Sequence, residues 1–153
     1  GRVSPGTNAR GLANVLEKSR GGAKKGGNAP LMDVYEYAYP VTTHGLVFMD
    51  TPGYDPVSAT GQIAGGANMI AFTTGRGSCF GSVPAPASPM FNRMSDDMDI
   101  NCGQIIDGDK SIKEMGQEIF ERLLAHASGE KTKSELNGLG EDEFCPWQIG
   151  VLA

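Results

Sequence analysis

Residues 45–83, GLVFMDTPGYDPVSATGQIAGGANMIAFTTGRGSCFGSV, carry the reading that decides the fold. An apolar run from Leu46 to Met49 ends on Asp50 and the turn Thr51-Pro52-Gly53-Tyr54-Asp55. A helical stretch follows, with Asp55 as N-cap, Pro56 as first helical residue and Gly65-Gly66 as the stop. Its small residues Ser58, Ala59, Gly61 and Ala64 allow close approach to a sheet. A second apolar run, Met69 to Phe72, has the character of a strand buried on both faces. It opens into Thr73-Thr74-Gly75-Arg76-Gly77-Ser78. Strand, loop, helix, strand and polar loop predict a parallel βαβ unit whose two strands end on polar loops at one edge. The expected fold class is therefore α/β, a three-layer, mostly parallel, Rossmann-like sheet flanked by helices.

Ligands of open parallel sheets sit at the carboxyl ends of the strands. The second loop supplies there one fixed cation (Arg76), the hydroxyls of Thr73, Thr74 and Ser78, and amides left accessible by Gly75 and Gly77. That set makes a receptor for a carboxylate.

Composition narrows the rest. A chain of 153 residues is sized for one domain with an ordinary core. Thirteen basic against 18 acidic residues leave a net charge of -5, the wrong sign for a nucleic-acid surface. Arg20, Lys24 and Lys25 are the one basic concentration and read as a solvated, Gly-rich loop. No apolar run reaches membrane-spanning length. The chain opens on Gly1-Arg2-Val3 and is expected to be one domain of a longer polypeptide. Three cysteines, Cys79, Cys102 and Cys145, stand far apart without metal-knuckle spacing, which points to a reducing, cytoplasmic setting.

Three segments are expected. Residues 1–29 form a Gly-rich lead-in with a short helix around Leu12, Val15 and Leu16, stopped by Gly21-Gly22. Residues 30–130 form the α/β core. A second helix there starts at Pro30 and runs through Met32, Val34 and Tyr35 to Pro40. Residues 81–89, with three prolines, are irregular. Asp96-Asp97-Met98-Asp99-Ile100-Asn101 lacks the spacing of a calcium loop and reads as an exposed helix end running into a short strand or turn. Lys110 to Ala127 is the longest helix, with Ile112, Met115, Ile119, Phe120, Leu123 and Leu124 on one stripe. His126 is a cation favoured at its C-terminus. Residues 131–153 are a tail in which Phe144-Cys145-Pro146-Trp147 packs back on the domain or on a partner.

The run MDTPGYDPVSATGQIAGGANMIAFTTGRGSCFGSVPAP closely resembles the altronate and galactarate dehydratases, a family of sugar-acid lyases. The agreement includes Leu16 to Ser19, Met94 to Gly103, Gly129 to Glu135 and Pro146 to Gly150, nearly the whole chain. Asp50 to Pro56 resembles the altronate branch more than the galactarate branch. The resemblance implies a cytoplasmic hydro-lyase that dehydrates altronate to 2-keto-3-deoxygluconate, with galactarate or another hexarate or hexonate as the alternative substrate. It implies iron(II) as cofactor, with ligands partly in preceding domains of the same polypeptide; the lack of a compact His/Cys/carboxylate cluster in the sequence adds the expectation that the fragment alone is inactive and binds iron weakly. A homo-oligomer is compatible with it. It also implies a further strand between the proline loop and Met90, carrying a lysine and an Ala-Thr-Asn segment. Here Pro86-Ala87-Ser88-Pro89 joins directly, so either residues between Ala87 and Ser88 are closed up in this sequence or the segment is deleted. A reading of another class is a non-catalytic anion-binding or assembly domain.

Dehydrating a 2,3-dihydroxy acid removes the proton beside a carboxylate and expels the neighbouring hydroxyl. The site must neutralise a developing dianion and must move a proton. Arg76 is the leading candidate, because its planar fork can hold a carboxylate bidentately. Thr73, Thr74, Gly75, Gly77 and Ser78 are candidate substrate contacts. Asp50 is a candidate catalytic or hydroxyl partner. His44, at the amino end of the first strand, is a weaker one. Cys79 is a candidate soft metal ligand, although a small buried thiol is its plainer identity.

Overall fold

The computed structural model describes residues 15–75, 78, 80–82, 87–90, 98–141 and 143–148. Helix α1 spans Val15–Lys24, so it runs through Gly21 and Gly22 instead of stopping there. Neither glycine has a neighbour that a side chain would meet. Their cost in the helix is about 1 kcal/mol each, which an exposed helix tolerates. The stop comes at Gly27, whose φ of +66° suits glycine. Arg20 and Lys24 therefore lie on a helix and not in a loop.

The segment after Pro30 is a strand, β1 (Leu31–Tyr35), and not a helix. It pairs in parallel with β2 (Leu46–Met49), Leu31 opposite Leu46 and Tyr35 opposite Met49, with an irregularity at Met32. Six residues between Pro30 and the Tyr37-Ala38 turn are too few for a helix to stand on its own, whereas pairing satisfies the backbone at once. Tyr35 is buried at the end of β1. Its hydroxyl donates to Thr43 Oγ1 (2.8 Å) and accepts from the amides of Thr42 and Thr43, pinning the loop that leads into β2.

Helix α2 (Asp55–Ala64) follows β2. Tyr54 takes the cap position and makes no side-chain cap, so Asp55 is the first helical residue and not the N-cap. Val57, Ala59, Thr60 and Gly61 form the buried side. A side chain at Gly61 would come within 2.2 Å of the Tyr37 ring. Tyr37 in turn donates to the Val57 carbonyl at 2.9 Å.

Strand β3 (Ile70–Thr73) pairs in parallel with β4 (Ala87–Met90), Ile70 opposite Ala87 and Thr73 opposite Met90. Three expectations change here. Strands β2 and β3 are not ladder neighbours; each belongs to its own two-stranded parallel sheet, so a three-layer sheet is not what these strands build. β3 is not covered on both faces, since Ile70 is buried and Ala71 and Thr73 are exposed. The proline-rich stretch is not wholly irregular, because β4 runs without interruption through Ala87, Ser88 and Pro89. A proline removes one ladder donor, which a strand with a free edge accommodates. The architecture is mixed α/β with parallel pairing.

Two clusters hold the described residues together. One gathers Ala59, Ile70 and Phe80, with Ile63, Ala67 and Phe72 against them. The other gathers Ile100 and Met115, with Cys102, Ile105 and Ile119. The second sits between the segment around Ile100, the short helix α3 (Gln104–Asp107) and α4 (Ile112–Ala127). Ser111 and Glu114 close a reciprocal capping box at the start of α4. Met115 is fully buried, yet Ile112, Phe120 and Leu124 of the expected stripe are exposed, so only part of it is core. A last short helix, α5 (Lys133–Leu136), starts on a second capping box, Thr132 with Glu135.

Candidate functional site

Both polar loops do lie at carboxyl ends of parallel strands. Asp50 follows β2 and is exposed; its amide donates to the Tyr35 carbonyl at 2.9 Å, which ties the ends of β1 and β2 together. Thr51 Oγ1 and Ser58 Oγ share a hydrogen bond of 2.7 Å, and Gln62 Nε2 donates to Ser58 at 3.0 Å. After β3, Thr73 is exposed, Thr74 half-buried and Gly75 open to solvent. The half-buried Ser78 turns its hydroxyl oxygen onto the Phe80 amide (3.0 Å). Arg76, Gly77 and Cys79 lie outside the described residues, as do Asp96 and Asp97. His44 is exposed just before β2, at the end away from Asp50.

The C-terminal tail brings a residue to this edge that sequence reasoning left out. The chain at Leu139 and Gly140 lies backbone against backbone on Gly81 and Ser82. A side chain at Gly81 would meet the Leu139 carbonyl at 2.8 Å, and one at Gly140 would meet the Ser82 nitrogen at 2.6 Å. Beyond this contact stands the half-buried Glu143, with the Gly81 amide and the Asp55 carboxylate near enough to act on its charge. Burial, and secondarily the Asp55 charge, push the Glu143 carboxyl above the usual carboxylate range. Two further contacts hold the tail. The Cys145 amide donates to Thr60 Oγ1 at 3.0 Å, and Trp147 packs edge-on to Tyr37 at 5.4 Å. The one available signal was Gly138-Leu139-Gly140 ahead of Phe144-Cys145-Pro146-Trp147, a flexible lead into an apolar anchor.

A second polar cluster surrounds Asp99 and His126. Neither is an exposed end group: their side chains are 4% and 1% exposed. Asp99 Oδ1 accepts from the Lys133 amide at 2.8 Å, at the start of α5, and lies 3.8 Å from His126 Nε2. His126 Nδ1 lies 2.9 Å from the Glu130 carbonyl, which can only accept, so Nδ1 is the donor. Thr132 and Ser134, both buried, share a hydrogen bond of 3.1 Å beside them. Of the exposed helix end running into a short strand or turn expected at 96–101, residues 96 and 97 lie outside the described residues, Ile100 does form a short bridge, and Asp99 is buried and not exposed. Met98 and Ile100, the residues on either side of Asp99, are buried as well.

Iron needs about three protein ligands at a catalytic centre. Among the described residues no three His, Cys, Asp or Glu side chains come together, and Asp99 with His126 supplies two donors at most. These residues by themselves do not fit an iron site. Cys102 and Cys145 are free and half-buried, and burial pushes the Cys102 thiol up, away from the reactive thiolate.

Residues 1–152 match the family described as D-galactarate/altronate dehydratase, C-terminal. The chain belongs to that family. It is 40% identical over 134 residues to the galactarate dehydratase (L-threo-forming) of Escherichia coli (strain K12), covering 84% of this chain and 26% of that protein. The altronate dehydratase of the same organism is 32% identical over 143 residues, 90% of this chain and 29% of that protein. A third relative is the (2R)-sulfolactate sulfo-lyase subunit beta of Chromohalobacter salexigens, 31% identical over 141 residues, 88% of this chain and 36% of that protein. The chain thus spans about a quarter to a third of the length of these relatives. No helix among the described residues is long and apolar enough to cross a membrane.

Proposed function

We propose that this chain is the C-terminal part of a sugar-acid hydro-lyase, with a substrate carboxylate bound on the loop after β3. The observation that carries the reading is the family match over residues 1–152. The loop's position at the carboxyl end of a parallel strand agrees with it. In this reading Arg76 holds the carboxylate, Thr73, Thr74 and Ser78 offer hydroxyls, and Gly75 and Gly77 let the backbone approach. Asp50, after β2, is offered as a partner for a substrate hydroxyl.

Altronate is the substrate favoured by the wording of Asp50 to Pro56. Galactarate is the second reading, favoured by the higher identity to the galactarate dehydratase. Iron(II), implied by the family resemblance, would take ligands from outside the described residues, and no step is assigned to it. Cytoplasmic location and a homo-oligomer complete the proposal. The bland competitor is an anion-binding or assembly domain without chemistry of its own.

The deciding experiment is turnover of a panel of hexonates and hexarates by the whole polypeptide carrying this chain, with and without iron(II). Formation of a 2-keto-3-deoxy acid from one of them is expected. Arg76→Ala should then lower turnover at least ~100-fold, since the fixed charge is used most in the transition state. Near-normal kinetics in that variant would remove Arg76 from the site and favour the bland reading.

A further inference from the structure

We infer that Asp99 and His126 form a buried receptor for one small molecule that donates two hydrogen bonds, an internal water that pins the start of the C-terminal tail to α4. The inference does not depend on the hydro-lyase reading.

The hydrogen-bond inventory of the pair leads there. A backbone carbonyl can only accept, so the 2.9 Å contact between His126 Nδ1 and the Glu130 oxygen makes Nδ1 the donor. In the tautomer so fixed, Nε2 is an acceptor. Asp99 Oδ1 accepts from the Lys133 amide at 2.8 Å, and an ionised carboxylate has nothing to donate. Nε2 and Oδ2 are the atoms left over. Both are shut off from solvent, and neither meets a donor among the described residues. The two side chains are buried together, with 3.8 Å between Nε2 and Oδ1. That separation is beyond a direct hydrogen bond. Two acceptors therefore stand side by side with nothing in the described chain to serve them.

Buried polar groups are paired in all but a few cases, because a lost partner costs the full desolvation of the group. One molecule with two O–H bonds serves both acceptors at once. A water about 2.8 Å from each of two atoms 3.8 Å apart subtends roughly a right angle, within reach of its two O–H bonds. A metal ion fits less well. Two protein donors fall short of the three or four that a zinc-type centre needs, and no third His, Cys, Asp or Glu joins them among the described residues. The water has a structural task, since three pieces of chain meet on this pair. Asp99 adjoins Ile100 of the second buried cluster, His126 lies in the last turn of α4, and the Lys133 amide opens α5.

The whole polypeptide carrying this chain, crystallised and solved at high resolution, tests the site directly. The expected result is a water oxygen within about 2.6–3.2 Å of both His126 Nε2 and the Asp99 carboxylate. A peak at about 2.0–2.3 Å with anomalous scattering would be a metal ion. A direct contact between Nε2 and the carboxylate, under ~3.2 Å, would be an imidazolium–carboxylate pair. Either result, or no peak between the two side chains, overturns the inference. Asp99→Asn gives a second readout. It keeps an oxygen for the Lys133 amide and supplies an amide donor to Nε2, taking over the part of the water. Hydrogen exchange over residues 130–136, followed by mass spectrometry in the whole polypeptide, should stay within about tenfold of the parent rate. A buried ion pair that loses one charge leaves the other uncompensated. Exchange faster by more than about tenfold therefore overturns the water bridge in favour of that pair.

Discussion

At the scale of single residues, the glycines report where two parts of the chain touch. Gly61 is required because the Tyr37 ring occupies the space a methyl group would need, only 2.2 Å from the Tyr37 Cε2. The φ of Gly61 is not in the left-handed region, so the constraint is packing and not backbone strain. Gly61→Ala should destabilise the domain by roughly 1–3 kcal/mol through overpacking. Because Tyr37 also carries Trp147, the sole tryptophan, the same substitution should shift the fluorescence maximum before global unfolding begins. A urea titration followed by fluorescence and by circular dichroism checks both statements. Coincident, parental curves would mean that Tyr37 moves aside at no cost. The same logic explains why Asp99 belongs inside: with the Lys133 amide on it and His126 beside it, the carboxylate is used locally.

At the scale of elements, the capping boxes make a prediction with a definite pH sign. Thr132 is fully buried, accepts from the Glu135 amide at 3.3 Å and starts α5. Glu135 answers by accepting from the Thr132 amide at 2.8 Å, and that hydrogen bond is the main reason its carboxyl lies below the usual range. A folded-state value below the unfolded one means stability that is present above about pH 4.3 and lost as the pH falls through the folded value. Thr132→Ala should cost about 1–2 kcal/mol at neutral pH. Glu135→Gln should flatten the acid side of the stability–pH curve while leaving the slope above pH 6 unchanged. Denaturant midpoints measured from pH 3 to 7 test the pair. An acid slope equal to the parent's in Glu135→Gln would show that other carboxylates set it. The α4 box of Ser111 and Glu114 lowers the Glu114 carboxyl by the same chemistry, on an exposed surface where solvent screens it.

At the scale of the whole molecule, the two buried clusters share no residue: Ala59, Ile70 and Phe80 in one, Ile100 and Met115 in the other. Removing one methyl from each, by Ile70→Val and Ile100→Val, should cost about 0.5–1.5 kcal/mol apiece. With no common neighbours the costs should add to within about 0.5 kcal/mol in the double variant. Thermal unfolding of the three variants measures this. A coupling larger than about 1 kcal/mol would mean that the clusters behave as one core. Large apolar side chains also remain outside both, including Leu31, Met32 and Val34 on β1, Phe48 on β2 and Phe120 and Leu124 on α4. The chain spans only about a quarter to a third of its relatives, and these faces are where we propose that preceding domains of the same polypeptide dock.

What the sequence by itself determined was local in origin. The runs Leu46 to Met49 and Met69 to Phe72, the helix between them and the long helix to Ala127 all follow from short-range periodicity and from stop signals such as Gly65-Gly66. The family was legible for the same reason, because its motifs are contiguous words. Tertiary structure decided what periodicity cannot encode. Leu31–Tyr35 became a strand because β2 offered a parallel partner, and β3 found its partner in Ala87–Met90 although a proline stands in the ladder. Asp99 and His126 stand 27 positions apart, and short-range pattern gives each only a place near a helix end. Only the tertiary fold buried both side chains, 3.8 Å apart. The Cys145 amide donates to Thr60 Oγ1, 85 positions earlier, and no local pattern marks that pairing. Side-chain period and capping are set within a turn or two of chain, whereas partner choice and burial depend on which distant surfaces exclude water together.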